Sequence, residues 1–301
     1  SLECKLPKEA NGTVLVELKD FAGKLLKRDS LSSAKRTIEL PPLGKGSYTL
    51  NYTAGSLKEE DHFRIVEPFT KGVRFTKDRR MFLNGKSFFP RMVLTPAMSE
   101  DALRIYGEAG FNSITFSGLT SNYEAGKYLA SIAEKHGLAV TDWANLGDVL
   151  KGNDADTAKK LAERVRTARA LNNFIGWIDD ESEMRLVPLP QMQRFYRILF
   201  ETAPEYVVWQ NHAPRLTAAP GAPYGTFANV RRYSRVCDVT GIDIYPVPEG
   251  GGHSNLANRT MSCVGEYTDL VLDTVHGQKP VWMVLQAGAW SEEGGKKETA
   301  S

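Results

Sequence analysis

Three scarcities limit what this 301-residue chain can be. It has three cysteines, Cys4, Cys237 and Cys263, and this odd, widely spaced set indicates neither a disulfide framework nor a zinc-ligand pattern. No apolar run approaches the ~18–20 residues that a membrane-spanning helix requires. An excess of one charge is also lacking, because 38 Lys and Arg balance 36 Asp and Glu. This balance gives no electrostatic reason to expect a nucleic acid or an anionic membrane as partner.

The amino terminus carries no targeting signal that the sequence alone reveals. Residues 1–5 lack the apolar core of a signal peptide, but a leader can be removed from a mature chain, so localisation stays open. The composition, 42% hydrophobic and 25% charged, is close to the average of globular proteins. Nothing in the sequence indicates a bound cofactor or a resident metal.

The first 68 residues carry a pattern of short strands separated by turns. Apolar and polar residues alternate with period two, which is typical of half-buried strands. The alternating segments are 12–18, 35–40, 47–52 and 62–66. Their spacing predicts a small antiparallel β-sandwich over residues 1–68, with Pro68 near its boundary.

From residue 69 to residue 301 the pattern changes to strands that alternate with helices. A hairpin is predicted first, with Asn84-Gly85 as its two-residue turn. Seven strands then follow, at 88–94, 111–116, 138–143, 174–178, 206–209, 236–243 and 280–285. Strands joined by helical crossovers form parallel sheets, and seven such units favour a (β/α)8 TIM barrel. No eighth strand is recognisable after Gln286.

The candidate site follows from the ends of these strands, because reacting groups of a TIM barrel lie at the carboxyl-terminal face. Carboxylates, amides and indoles dominate these positions. They are Arg91, Thr115, Ser117, Asp142, Trp143, Asn145, Asp179, Asp180, Glu181, Trp209, Gln210, Asn211, His212, Asp243, Tyr245, Gln286 and Trp290. Aromatic faces stack on the C–H face of a sugar ring, and carboxylates and amides bond its hydroxyls. The sequence therefore predicts a carbohydrate site.

Four short motifs, in this order, resemble the catalytic barrel of glycoside hydrolase family 2 and its clan A relatives. They are Phe82-Leu83-Asn84-Gly85-Lys86-Ser87-Phe88-Phe89-Pro90-Arg91, Gly176-Trp177-Ile178-Asp179-Asp180-Glu181, Gly241-Ile242-Asp243-Ile244-Tyr245-Pro246 and Lys279-Pro280-Val281-Trp282-Met283-Val284. The resemblance implies an Ig-like β-sandwich before the barrel and cleavage of a β-linked poly- or oligosaccharide. It also implies Glu181 as general acid/base, Asp180 as its hydrogen-bonding neighbour, and a secreted or periplasmic location. An open barrel side would favour a homo-oligomer.

One position departs from the family pattern. The nucleophile of the clan is a glutamate at the end of the seventh strand, and here that position is Gln286. A glutamine amide cannot form the glycosyl ester of a retaining reaction. Three alternatives remain open: Asp243 or Asp142 takes this role, an acetamido group of the substrate does, or the protein binds glycans without cleaving them.

Simpler interpretations compete with each functional one. Helix capping or a solvated loop would explain the acidic trio 179–181, hydrogen bonding to loop amides would explain Asp243, and a satisfied loop histidine would explain His212. Alternation places Asp179 and Glu181 on one side and Asp180 on the other, if the strand extends that far. A third hypothesis is an unrelated barrel enzyme with a cation bound to this trio.

Overall fold

The computed structural model describes residues 2–3, 12–20, 22–32, 35–94, 96–150, 152–214, 227–247 and 256–286. The chain divides into two compact units, Ser1–Pro68 and Phe69–Ser301. The described residues have a mixed α/β content, and all of their helices lie in the second unit. No helix in these ranges is long and apolar enough to cross a membrane.

The first unit is built from antiparallel strands. Its strands are β1 (Leu2–Glu3), β2 (Val14–Asp20), β3 (Leu25–Leu31), β4 (Thr37–Ile38), β5 (Gly46–Ala54) and β6 (Leu57–Ile65). Four of them form a sheet in the order β3-β2-β5-β6, and β1 pairs with β4. Val14, Val16 and Leu18 are buried at alternate positions of β2, as the period-two pattern predicts. The sequence analysis missed β3, whose central residues Lys27, Arg28 and Asp29 carry charges.

The second unit begins with a three-stranded antiparallel sheet, β7 (Val73–Phe75), β8 (Met81–Leu83) and β9 (Lys86–Ser87). The predicted turn at Asn84-Gly85 is confirmed, with φ of 51° and 79°. Val73 and Leu83 pack against Val207 and Val239, which begin two strands of the parallel sheet. This small sheet therefore covers the amino-terminal end of the parallel strands.

The main sheet of the second unit has seven parallel strands. They are β10 (Met92–Val93), β11 (Ser113–Phe116), β12 (Ala139–Trp143), β13 (Phe174–Asp180), β14 (Val207–His212), β15 (Val239–Ile244) and β16 (Val281–Leu285). Each pairs with the next in chain order, as in a partial TIM-like barrel. The predicted first strand, 88–94, is reduced to β10. No strand follows β16 within the described residues.

Helices connect these strands. They are α1 (Glu100–Glu108), α2 (Tyr123–Lys135), α3 (Leu146–Val149), α4 (Asp154–Ala170), α5 (Leu189–Thr202), α6 (Phe227–Tyr233) and α7 (Cys263–Thr274), with single 3-10 turns at Leu119–Ser121 and Ser234–Val236. Ser99 caps α1, because its side chain accepts a hydrogen bond from the Ala102 N–H.

Two hydrophobic clusters cover the two faces of the parallel sheet. Trp177 and Val208 pack with residues of the helices, whereas Ile178 and Trp209 pack with the interior residues of other strands. Close strand contact requires Gly176, because a Cβ there would overlap the carbonyl oxygen of Val207. The alternation of side chains thus sends neighbouring residues of one strand to a helix face and an inner face.

Candidate functional site

The carboxyl-terminal ends of β13 and β14 carry polar residues on both faces of the sheet. The register pairs Asp179 with Gln210 and Asp180 with Asn211. Asp180 therefore shares the inner face with Ile178, and Asp179 shares the helix face with Trp177. Two groups result. The inner-face cluster is built on Asp180, Asn211 and Asp243; Tyr245 joins it through a hydrogen bond with Asp243, and Glu181 is assigned to it because the charges of Asp243 and Asp180 act on it most strongly. The helix-face cluster is Asp179, Glu183, Gln210, His212, Ser234 and Thr240.

One amide joins two carboxylates in the inner-face cluster. Asn211 Nδ2 donates to Asp180 Oδ1 at 3.0 Å and to Asp243 Oδ1 at 3.1 Å. Since both acceptors bond the same nitrogen, the two oxygens lie no more than about 6 Å apart. The other oxygen of Asp180 accepts from Arg185 at 2.7 Å. Burial and the charges of Asp243 and Glu183 raise the pKa of Asp180, against the lowering effect of Asn211 and Arg185.

Glu181 leaves the strand in an uncommon backbone conformation. Its φ of 51° is left-handed, its N–H donates to Asn211 O at 2.8 Å, and its carbonyl accepts from Met184 and Arg185 at 2.9 and 2.8 Å. Because β13 ends at Asp180, strand alternation does not extend to Glu181, and the condition under which it would share a side with Asp179 is not met.

The charge environment of Glu181 is that of the inner-face cluster. Its side chain is half-buried. Burial, followed by the charges of Asp243, Asp180 and Glu183, raises the pKa of Glu181 to about 7. A substantial fraction of this carboxyl group is therefore protonated at neutral pH, as a proton donor requires.

The helix-face cluster is more deeply buried. Glu183 Oε1 accepts from Ala213 N at 3.0 Å, and Glu183 Oε2 lies 3.0 Å from His212 Nδ1, out of line for a full hydrogen bond. His212 Nε2 lies 3.1 Å from Ser234 Oγ, which is 2.8 Å from Thr240 Oγ1. Glu183, His212, Ser234 and Thr240 are each at most 3% exposed. The sequence analysis did not single out Glu183 or Ser234, because both lie outside the predicted strands.

Asp179 belongs to the same buried cluster. Its side chain is 5% exposed. Burial raises the pKa of Asp179 to about 6, although hydrogen bonds from Ser182 and Gln210 act in the opposite direction. Asp179 lies within β13 and is buried, so the solvated-loop interpretation of the acidic trio does not describe it.

Two residues predicted to bind substrate, His212 and Asp142, have side chains that are buried and in contact with other groups of the protein. His212 is fully buried on the helix face. Asp142 is also fully buried, and its carboxylate accepts from Leu119 N at 2.9 Å, Thr120 N at 2.8 Å and Thr120 Oγ1 at 2.5 Å. Asp142 therefore anchors the 3-10 turn after β11. Neither side chain is positioned to contact a substrate directly, and Asp142 is not a candidate second carboxylate.

The remaining predicted contacts scatter around the sheet. Arg91 precedes β10 and so lies at the amino-terminal edge, opposite the acidic residues, because the first strand is shorter than predicted. Trp143 is half-buried at the end of β12, and Asn145 is exposed after it with a left-handed φ of 50°. Trp290 lies outside the described residues. Trp143 and Asn145 thus remain as predicted contacts at the carboxyl-terminal edge.

Gln286 follows β16 and pairs with the backbone. Its Oε1 accepts from Val247 N at 2.9 Å, and its Nε2 donates to Val247 O at 2.8 Å. The side-chain amide of Gln286 thus adds two hydrogen bonds beyond the last paired residues of β15 and β16. Nearby, burial, the charge of Asp243 and a hydrogen bond with Asp243 raise the pKa of Tyr245.

The described residues contain no group of three or more His, Cys, Asp and Glu side chains arranged to hold a metal ion. The acidic trio 179–181, at the end of β13, illustrates the reason. Asp179 points to the helix face, whereas Asp180 and Glu181 belong to the inner-face cluster.

Neither a family model nor a curated protein matches the sequence. Among solved structures, the chain is similar to a β-glucuronidase of Parabacteroides merdae, with 14% identity, a TM-score of 0.45, and coverage of 90% of this chain and 36% of that one. It is also similar to a calcium binding mutant of Bacteroides uniformis β-glucuronidase 2, with 16% identity, a TM-score of 0.48, and coverage of 89% of this chain and 36% of that one. A third similar structure is a putative β-galactosidase of Bacteroides fragilis, with 10% identity, a TM-score of 0.45, and coverage of 90% of this chain and 41% of that one. The chain spans well under half of each structure's length, and likenesses at this level assign no residue a role.

Proposed function

We propose that this chain is a glycoside hydrolase that cleaves O-glycosidic bonds of a β-linked poly- or oligosaccharide, with Glu181 as general acid/base. The observation that carries the proposal is the pair Asp180 and Asp243, which Asn211 bridges at the ends of β13 and β15, with the half-buried Glu181 directly after Asp180 in the chain. Burial and the charges of Asp243 and Asp180 raise the pKa of Glu181 to about 7. A group that protonates a leaving oxygen near neutral pH requires a raised pKa of this kind.

Asp243 is the proposed second carboxylate. Among the like charges that act on Glu181 its effect is the largest, and Asn211 orients it through a hydrogen bond. In the reaction, Glu181 would give its proton to the glycosidic oxygen. Asp243 would attack the anomeric carbon or take a proton from an attacking water. A carboxyl separation of roughly 5–5.5 Å would favour the first route and about 6.5–9.5 Å the second.

The remaining parts of the proposal concern recognition and context. Tyr245 and Trp143 offer aromatic faces to a sugar ring, and Asn145 offers an amide to its hydroxyls. We further propose that residues 69–301 form a TIM-barrel domain and residues 1–68 an Ig-like β-sandwich. A secreted or periplasmic location and a homo-oligomer are part of this proposal, and both await measurement on the whole protein.

A second candidate is a protein that binds glycans without cleaving them. Gln286 favours it, because the amide at the expected nucleophile position is engaged with both backbone groups of Val247. In this case the inner-face cluster would hold sugar hydroxyls and Glu181 would donate a hydrogen bond rather than transfer a proton.

Hydrolysis of a panel of β-linked glycans by the wild type, Glu181→Gln and Asp243→Asn separates the two candidates. Glu134→Gln, at an exposed position of α2, is the matched control. We expect the first two variants to lose about 10²–10⁴-fold in rate on any glycan that the wild type cleaves. Equal rates for wild type and Glu181→Gln would refute the assignment of the acid. Binding without cleavage by wild type would support the second candidate.

A further inference from the structure

The helix-face cluster contains a continuous series of contacts that the proposed reaction does not use. Glu183 bonds the backbone of Ala213 and lies against His212. His212 contacts Ser234, and Ser234 contacts Thr240. This series links the segment after β13 to the end of β14, to the 3-10 turn before β15, and to β15 itself.

The first member of the series belongs to the segment that carries the proposed acid. Residues 181–187 lie between β13 and Pro188, the cap residue of α5. The segment turns back on itself, because the Glu181 carbonyl accepts from the N–H groups of Met184 and Arg185. Glu183 lies within this turn, and its side chain is 3% exposed. A left-handed glutamate persists only where its surroundings hold it in place, so the anchor of this turn controls where the Glu181 carboxyl group lies.

We propose that Glu183 and His212 are positioning residues, which hold segment 181–187 against the ends of β14 and β15 and so place the Glu181 carboxyl group in the inner-face cluster. The inference rests on the proposed role of Glu181 as the acid. Burying a carboxylate and an imidazole together is costly unless they bond each other and further groups. Here the Ala213 N–H and the Ser234 hydroxyl supply those further contacts.

The order of contacts, hydroxyl to imidazole to carboxylate, also matches that of a nucleophilic serine. Ser234 does not fit this role as well, because its side chain is 1% exposed and its oxygen is shared with Thr240. A serine that attacks a substrate must be reachable from solvent. The burial therefore favours positioning over acyl transfer.

The test is the titration of Glu181 itself, followed by NMR on protein with ¹³C-labelled glutamate side chains. The Glu181 signal is assigned by its loss in Glu181→Gln. Its neighbours Asp243, Asp180, Glu183 and Arg185 all act on its pKa, so the variants must separate charge from position. Glu183→Ala removes both charge and anchor. Glu183→Gln removes the charge, but its amide oxygen still accepts from the Ala213 N–H.

We expect Glu183→Ala to move the Glu181 midpoint from about 7 toward the ordinary glutamate value of 4.5 by roughly one unit or more, because the freed turn exposes the carboxyl group. Glu183→Gln should shift it by less than half as much. Leu199→Ala, a buried position of α5, is a control for general destabilisation and should leave the midpoint unchanged. Near-UV circular dichroism checks that each variant is folded.

Three results would overturn the inference. If Glu183→Gln and Glu183→Ala give equal shifts, Glu183 acts through its charge alone. If neither moves the midpoint, the network is structural only. If Glu183→Ala does not fold, Glu183→Met, which also removes the charge and the acceptor but keeps most of the side-chain volume, takes its place in the same comparison. Labelling by a fluorophosphonate probe that Ser234→Ala abolishes would show an acyl-transfer site instead. None of these measurements needs a glycan, so failure of the glycan panel remains separate from failure of the positioning inference.

Discussion

The two clusters at the ends of β13 and β14 are built from adjacent residues, yet their surroundings differ. In the inner-face cluster, Asp180 and Glu181 are half-buried, and a single amide, Asn211, bridges Asp180 to Asp243. In the helix-face cluster the acidic groups are at most 5% exposed, Glu183 accepts from the Ala213 N–H and lies against His212, and Asp179 accepts from Ser182 and Gln210. One residue of offset along a strand therefore separates half-buried carboxyl groups on the inner face from almost fully buried ones on the helix face.

Asp243→Asn is the substitution from which we expect the largest effect. Loss of the second carboxylate should lower the rate of hydrolysis by about 10²–10⁴-fold, while thermal stability stays equal or rises because a buried like charge is removed. Asp179→Asn on the helix face is the control, with less than tenfold change in rate. Steady-state kinetics on the best glycan of the panel, with a thermal melt of each variant, measure both. Comparable rate losses in both variants would contradict the division into two clusters.

His212→Ala should cause the largest loss of stability. It leaves a cavity beside the buried Glu183 carboxyl group, and removal of a large buried side chain costs about 2–5 kcal/mol. His62, whose side chain is 25% exposed and lies 2.7 Å from that of Glu60, provides the matched control. We expect His62→Ala to cost less than about 1 kcal/mol. Urea unfolding of both variants gives the comparison, and losses of similar size would show that the helix-face pair is not specially stabilising.

Strand alternation and turn residues predicted much of this fold. The order of seven parallel strands, the Asn84-Gly85 turn and the Ser99 cap follow from local patterns. The positions of Asp180 and Asp243 near the ends of β13 and β15 follow as well, although their roles remain predictions. β3 escaped notice because its charged residues hide the apolar alternation.

The site was harder to predict, because hydrogen bonds between residues far apart in the chain, rather than local sequence spacing, determine where its side chains lie. Asp142 also lies near the end of a strand, but it is in register with Trp177 and so lies on the helix face, where its carboxylate accepts from the N–H groups of Leu119 and Thr120. The left-handed backbone of Glu181 goes with hydrogen bonds to Asn211 and Arg185 that no local pattern reveals. Such long-range contacts are the part of the site that the sequence analysis did not reach.

The two clusters should also differ in the pH range over which they affect stability. The pKa of Asp179 is raised to about 6 and that of Glu181 to about 7. A carboxyl group whose pKa is raised on folding contributes its full stability below its unfolded pKa and loses it as pH rises through the folded pKa. Wild-type stability should therefore fall between pH 4 and pH 7, by on the order of 2 kcal/mol for each group.

Single substitutions assign the two parts of this pH dependence. Asp179→Asn should remove the part that is lost up to about pH 6, and Glu181→Gln the part that extends to about pH 7. Glu134→Gln, at the surface, should leave the curve unchanged. Melting temperatures at half-unit intervals of pH measure the slopes. A wild-type stability that rises over this range would mean that neither carboxyl group is desolvated as described.

Gln286→Glu should have the smallest effect. It tests whether replacing the side-chain amide at position 286 by a carboxylate is enough to supply a nucleophile. A carboxylate at 286 cannot donate to Val247 O, so one hydrogen bond is lost at a cost of about 1 kcal/mol. Gln286→Met, which loses both contacts, is the control and should cost somewhat more. Because position 286 is engaged with the backbone and Asp243 already lies beside Glu181, we expect no gain in hydrolysis from the new carboxylate. A tenfold or greater gain would place the second reacting group at the end of β16 and would leave Asn211 and Asp243 as supports for it.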